Sequence, residues 1–233
     1  MNFLMPLLTA TTLALAFATG AIASDAAHPV VVELFQSQGC SSCPPANANV
    51  LAISDRPEVL ALSFGVTYWD QLGWKDTFAS PVNTARQWDY ARGLHHAQVF
   101  TPQVVVNGRS DGVGADRREL DRLLVAGDRG IGGPAIQINA DRVTLSMAAA
   151  PREVADVWLV RYDPRVVQVA IRRGENGGRT LPHKNVVRQL VHLGTWRGTA
   201  ESLTLPVSRD PLLRSAILIQ QGVGGPILAA AKG

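Results

Sequence analysis

Two cysteines in 233 residues are too few for a disulfide-dense small domain or for a zinc centre built from four thiolates. Lysine is scarce as well. Of 22 basic residues, 19 are Arg, and they alternate with acids, as in Asp116-Arg117-Arg118-Glu119, instead of forming a stripe. With a formal net charge of +3, that pattern speaks against a nucleic-acid surface. The 21 Gly and 14 Pro stay well under the roughly 25–30% that marks low complexity, so the chain is foldable and globular. Beyond the first segment, no apolar run approaches the ~20 residues of a membrane-spanning helix, which predicts no stable membrane insertion.

The first 23 residues carry no charge. Leu7 to Ala18 is a largely apolar stretch of 12, too short to span a bilayer. Ala21-Ile22-Ala23 follows as a small-x-small cleavage site. Residues 1–23 therefore read as an export signal, although Met1 to Pro6 lacks Lys and Arg; an uncleaved N-terminal anchor is the alternative. The expected location is outside the cytoplasm, periplasmic or secreted.

From Val30 onward, strand and helix periodicities alternate. Val30–Phe35 and Val59–Val66 are apolar strand runs, and Pro44–Asp55 has helical spacing. Ser80-Pro81 is a helix start, with Gly93 as its stop. Val104–Val106 ends in Asn107-Gly108, a two-residue hairpin signal, and Leu120, Leu123 and Leu124 mark a last helix. The expected order is β-α-β-α-β-β-α over residues 28–129. After Gly130-Ile131-Gly132-Gly133-Pro134, short alternating strands separated by turns predict a small all-β antiparallel sandwich over residues 134–233. The turn Gly174-Glu175-Asn176-Gly177-Gly178 reads as turn chemistry, since no helix follows it.

Cys40-Ser41-Ser42-Cys43 lies between the first strand and the first helix. A helix N-terminus favours a thiolate, which would make Cys40 a nucleophile and Cys43 the resolving thiol. A stabilising disulfide is the bland alternative, but a four-residue loop contributes only roughly 2 kcal/mol by chain entropy. If Cys40 capped the helix, Pro45 would lack an N–H that the helix needs. The helix is therefore expected to start nearer Ser42 or Cys43, with Cys40 on a looser turn. Glu33, in the middle of an apolar strand, is expected to be buried and to move a proton to or from Cys43. Thr101-Pro102 precedes the third strand; a cis proline there would set the Thr101 backbone beside the cysteines.

In sum these residues resemble the thioredoxin superfamily. That resemblance implies a thioredoxin-like α/β domain with the cysteines at the first helix and the cis-proline opposite. Three segments, Glu33 to Pro45, Tyr68 to Asp76, and Tyr90 through Gly108, are similar to a bacterial family of secreted proteins catalogued only as a domain of unknown function. Glu33 stands one residue further from the first cysteine than thioredoxin's buried acid.

An insertion at about residues 67–79 holds Tyr68, Trp69, Trp74 and Phe78. Trp69 and Trp74 could form an aromatic lip that grips a substrate, or the rings could simply fill a joint; Asp70 and Asp76 stand near them. The leading expectation is an exported thiol–disulfide oxidoreductase using Cys40, Cys43 and Glu33, with Thr101, Pro102, Trp69 and Trp74 binding substrate. Its partners would be protein thiols or disulfides or a small thiol, and it needs no cofactor and no metal. It requires that an outside thiol can reach the Cys40 sulfur. The rivals are a copper- or zinc-binding module using the cysteines with His95 or His96, and a non-catalytic binding protein with a static disulfide.

Overall fold

The structure is a computed structural model that describes Met1 and residues 24–233. Apart from Met1, the export signal read in residues 1–23 lies outside the described residues. The first half runs β1 (Val30–Gln36), α1 (Cys43–Ile53), β2 (Val59–Gly65), α2 (Pro81–Gly93), β3 (Gln103–Val106), β4 (Ser110–Gly112) and α3 (Arg117–Ala126). A 3-10 turn at Asp70–Leu72 interrupts the β2–α2 connection. The second half adds β5 (Ile136–Ile138), β6 (Arg142–Leu145), β7 (Ala155–Asp163), β8 (Val167–Ala170), β9 (Thr180–His183), β10 (Val186–Trp196), β11 (Glu201–Thr204), β12 (Arg214–Gln221) and β13 (Ile227–Lys232).

Local chemistry accounts for the helix boundaries. The Ser80 side chain accepts from the Asn83 N–H, capping α2 ahead of Pro81. Asp116 caps α3 by accepting from Arg118 and Glu119 N–H groups. Helix α1 begins at Cys43, so Pro44 and Pro45 fall in its first turn, where N–H groups have no intrahelical acceptor to lose.

The expected architecture, a thioredoxin-like α/β unit followed by an all-β sandwich, is corrected by the sheet. One mixed eight-stranded sheet of order β13-β12-β7-β10-β2-β1-β3-β4 runs through both halves of the chain, with three α-helices among the described residues. The halves join where β10 pairs in parallel with β2, at Val186 opposite Ser63. There the Ser63 N–H donates to the Asn185 carbonyl at 2.9 Å, and Asn185 Nδ2 donates to the Ala61 carbonyl at 2.8 Å. The physical reason is an edge. Strand β2 is buried along its whole length, and its edge groups would be costly without partners; the Asn185 carbonyl, Asn185 Nδ2 and Lys232 Nζ of the second half meet Ser63, Ala61 and Val59. Periodicity identifies strands but carries nothing about which edge a distant strand will fill.

Alternation along β1 divides the core. Val30, Val32 and Leu34 pack with α1 and α3, whereas Val31 and Phe35 face Tyr90 of α2. That second cluster continues through Val160, Val187, Leu218 and Ile227, so one apolar layer ties the two halves together. A three-stranded sheet, β11-β6-β5, covers the other side of β7 and β12 through Val143, Leu145, Leu159 and Ile217. Strands β8 and β9 form a separate two-stranded arm.

Candidate functional site around the cysteine turn

Strand β1 ends at Gln36, and the chain turns through Ser37–Ser42 before α1. Cys40 and Cys43 are joined as a disulfide, with Cα atoms 5.4 Å apart. The Ser42 hydroxyl is 3.3 Å from the Cys40 sulfur and donates to the Thr101 carbonyl at 3.4 Å. The Thr101–Pro102 peptide bond is cis. Trp69 Nε1 donates to Thr101 Oγ1 at 2.8 Å, holding the same loop from the other side. Cys40, Ser42, Thr101, Pro102 and Trp69 are thus gathered at one end of the sheet.

Trp74 plays a bracing part. Its Nε1 donates to Gln38 Oε1 at 2.9 Å, while the Gln38 N–H donates to Asp76 Oδ2 at 2.7 Å. Asp76 also accepts from the Phe78 N–H, and burial nevertheless pushes its carboxyl above the ordinary carboxylate range. The indole N–H groups of both tryptophans are therefore spent on the protein's own loops.

Two expectations about this site are corrected. The first is access. Cys40 is 0% exposed and Cys43 1%. The β8–β9 turn is bonded to the backbone around the cysteines, a contact that nothing local in the sequence signals. Asn176, itself 0% exposed, donates from Nδ2 to the Gln38 carbonyl at 2.9 Å and the Cys40 carbonyl at 2.8 Å. Glu175 accepts from the Ser41 N–H at 3.0 Å and the Ser41 hydroxyl at 2.6 Å, and these donors hold its carboxyl below the usual range. Arg179 braces Asn176 Oδ1 at 2.7 Å. In the disulfide state the sulfur is closed to an outside thiol.

The second correction is Glu33. It is buried, as expected, but on the α2 side of the sheet, away from α1. Arg86 grips both carboxylate oxygens, at 2.6 and 3.1 Å, and the Tyr90 hydroxyl donates to the carboxylate as well. Arg86 also reaches Gln220 of β12 at 3.1 Å. Burial alone would lower the Arg86 pKa; the Glu33 carboxylate reverses this and holds it above its ordinary value. Glu33 is a structural anion joining β1, α2 and β12, with no contact to either cysteine.

The buried titratable group on the α1 side is an imidazole. His183, 2% exposed, closes β9. Its Nδ1 lies 3.3 Å from Gln36 Nε2, which also donates to Asn47 Oδ1 and Ser63 Oγ at 3.2 and 2.6 Å. Asn47, one turn after Cys43, in turn donates to the Pro182 carbonyl at 2.6 Å. Among the described residues His183 Nε2 has no hydrogen-bond partner, and burial lowers the imidazole pKa to about 4. The histidines considered as metal ligands lie elsewhere: His96 is bound to the Asp111 carboxylate at 2.9 Å, and His95 takes a left-handed backbone. Among the described residues no group of three or more His, Cys, Asp or Glu side chains is gathered as a ligand set.

Two outcomes follow from these placements. Glu33→Gln leaves the buried Arg86 without its counter-ion and is expected to destabilise the fold by about 3–5 kcal/mol in urea titrations. The rate at which the disulfide of the folded variant is reduced should not change, whereas a slowed rate would restore Glu33 as a proton carrier. His183 binds its proton more weakly folded than unfolded. Stability is therefore complete above its ordinary pKa of 6.5 and falls as the pH drops through about 4. The loss reaches up to about 3 kcal/mol. His183→Gln should flatten that part of the stability profile; an unchanged slope would contradict the assignment.

Comparison with known proteins places the chain. Residues 31–220 match the family described as a protein of unknown function, DUF1223. A protein of Agrobacterium tumefaciens solved by X-ray crystallography is 31% identical, with 91% of this chain and 95% of that one covered at a TM-score of 0.72. HBP35 of Porphyromonas gingivalis shares the fold at a TM-score of 0.56 and 12% identity, over 92% of this chain and 76% of that one. No curated protein matches. The chain belongs to the DUF1223 family.

Proposed function

We propose that the protein is an exported thiol–disulfide oxidoreductase whose Cys40–Cys43 pair exchanges electrons with protein thiols or a small thiol. The observation that carries this reading is the meeting of three elements. The disulfide stands at the start of α1, Ser42 touches the Cys40 sulfur, and the same hydroxyl reaches the Thr101 carbonyl next to Pro102. The local likeness to the thioredoxin superfamily, confined to strand, C-x-x-C helix and proline loop, supports the reaction and not the architecture. The signal read in residues 1–23 supports an oxidising compartment, where such a pair can cycle.

In the exchange, a partner thiolate attacks the Cys40 sulfur. The Cys40–Cys43 bond breaks and Cys43 leaves as a thiolate at the α1 N-terminus, where the helix dipole favours negative charge. The partner's second thiolate then attacks its own sulfur in the mixed disulfide and releases Cys40. The partner dithiol is oxidised to a disulfide, the cysteine pair is reduced, and the two protons pass to the cysteine thiolates. Running backwards, the same steps oxidise a partner. Sulfur carries both electrons, so no further cofactor enters.

The closed sulfur means that exchange requires the Glu175–Asn176 turn to lift. Its attachment is by side-chain hydrogen bonds, and among the described residues β8 and β9 pair only with each other, so the arm can open without breaking the main sheet. A second reading takes the burial at face value: a binding protein with a static disulfide that staples the turn. The two part on kinetics. Asn176→Ala removes both bonds to the cysteine turn and should speed reduction of the native disulfide by dithiothreitol about tenfold, a shift of ~1.4 kcal/mol in opening. Reduced Cys43→Ser should accumulate mixed disulfides that Cys40→Ser does not form. Reduction that occurs only on global unfolding, at one rate in wild type and Asn176→Ala, would favour the static reading.

A further inference from the structure

A groove of about 780 Å³ lies at the other end of the sheet from the cysteines. It sits beside Gly108, which follows the Asn107 that pairs with Val31 at the start of β1. Its volume falls within the roughly 300–1,000 Å³ of small-molecule sites. Three segments far apart in sequence each bring an arginine to it: Arg109 from the β3–β4 turn, Arg129 from the link after α3, and Arg152 from the loop before β7. Among the described residues no carboxylate lines it. Elsewhere Arg86 and Arg165 are matched by Glu33 and Asp163, but Arg109 and Arg152 form no ion pair among the described residues.

Arg129 is held in place from behind. Its Nη2 donates to the Pro29 carbonyl at 3.2 Å, and its Nη1 to the Gly130, Gly132 and Leu228 carbonyls at 3.3–3.5 Å. Its buried Nε has no hydrogen-bond partner among the described residues. Burial lowers its pKa, Asp128 and Asp25 oppose that from outside the lining, and Arg109 adds like-charge repulsion. Arg109 and Arg129 thus line one groove, with no carboxylate among its described lining residues.

The walls are built closely. A Cβ on Gly108 would stand 2.3 Å from the Gly225 carbonyl, and one on Gly93 would stand 2.1 Å from that of Gly224, so only glycine permits these approaches. The Arg152 N–H donates to Gln221 Oε1 at 3.1 Å, fixing the third wall to the end of β12. Leu94, Pro151, Pro226 and Leu228 supply apolar lining between the cations. A closely walled groove lined by three arginines, no carboxylate among the described residues and several apolar side chains suits a ligand with an anionic head and an apolar body.

We propose that this groove binds a small organic anion, its carboxylate or phosphate head on the arginines and its apolar body along Leu94, Pro151, Pro226 and Leu228. The site is independent of the disulfide. The test uses the full chain and 8-anilinonaphthalene-1-sulfonate as an anionic probe, with N-phenyl-1-naphthylamine as its uncharged counterpart. Saturable one-to-one binding of the sulfonate is expected. It should weaken at least about tenfold in Arg109→Gln/Arg152→Gln, two exposed positions whose change should leave the melting curve intact, with the uncharged probe unaffected. Displacement of the sulfonate by benzoate identifies a carboxylate head, and displacement by inorganic phosphate a phosphate head. Unsaturable sulfonate binding, unchanged affinity in the double variant, or equal loss of both probes would overturn the proposal.

Discussion

The meeting of β10 with the open edge of β2, at Val186 and Ser63, is the constraint on which the rest of this molecule depends. It extends a sheet begun by β1, β2 and β3 into β7, β12 and β13, and lets one apolar layer run beneath both halves. It also decides what lies near the cysteines. Strand β9 ends two residues before β10 begins, so anchoring Val186 beside Ser63 brings His183 and the β8–β9 arm to the end of β1 where the cysteine turn sits. The contacts of Asn176 and Glu175 with Cys40 and Ser41 are consequences of that registration.

The resulting site is closed and heavily braced. Gln38 is held by Asp76, Thr77 and Trp74, Thr101 by Trp69, and the Cys40 carbonyl by Asn176. Such bracing fixes the geometry in which one sulfur, one hydroxyl and the Thr101 carbonyl meet. In the proposed exchange, access to the sulfur depends on the free energy of lifting a few side-chain hydrogen bonds, which is small beside that of unfolding the sheet.

Signals carried by neighbouring residues were legible in the sequence. Ser80-Pro81 starts a helix, Pro44-Pro45 pushes the α1 start to Cys43, and the proline after Thr101 sits beside the cysteine turn. Strands β9 and β13 were not read, since Thr180–His183 contains a proline and Ile227–Lys232 follows a Gly-rich turn. Glu33 shows how a local rule can be legible and still be passed over. Side chains alternate faces along a strand, so an acid one residue further from the cysteine points to the opposite side of the sheet, where Arg86 waits. Asn176 shows the opposite case. Its place between glycines marks a turn, but its bond to Cys40 spans 136 residues and follows from sheet assembly alone.

The most direct measurement is the reduction potential of the Cys40–Cys43 pair in the folded wild-type protein, equilibrated against glutathione buffers. A value above about −300 mV, in the range of pairs that exchange electrons with cellular thiols, is expected. A value below it, where structural disulfides lie, would contradict a redox role and leave the pair as a staple of the turn.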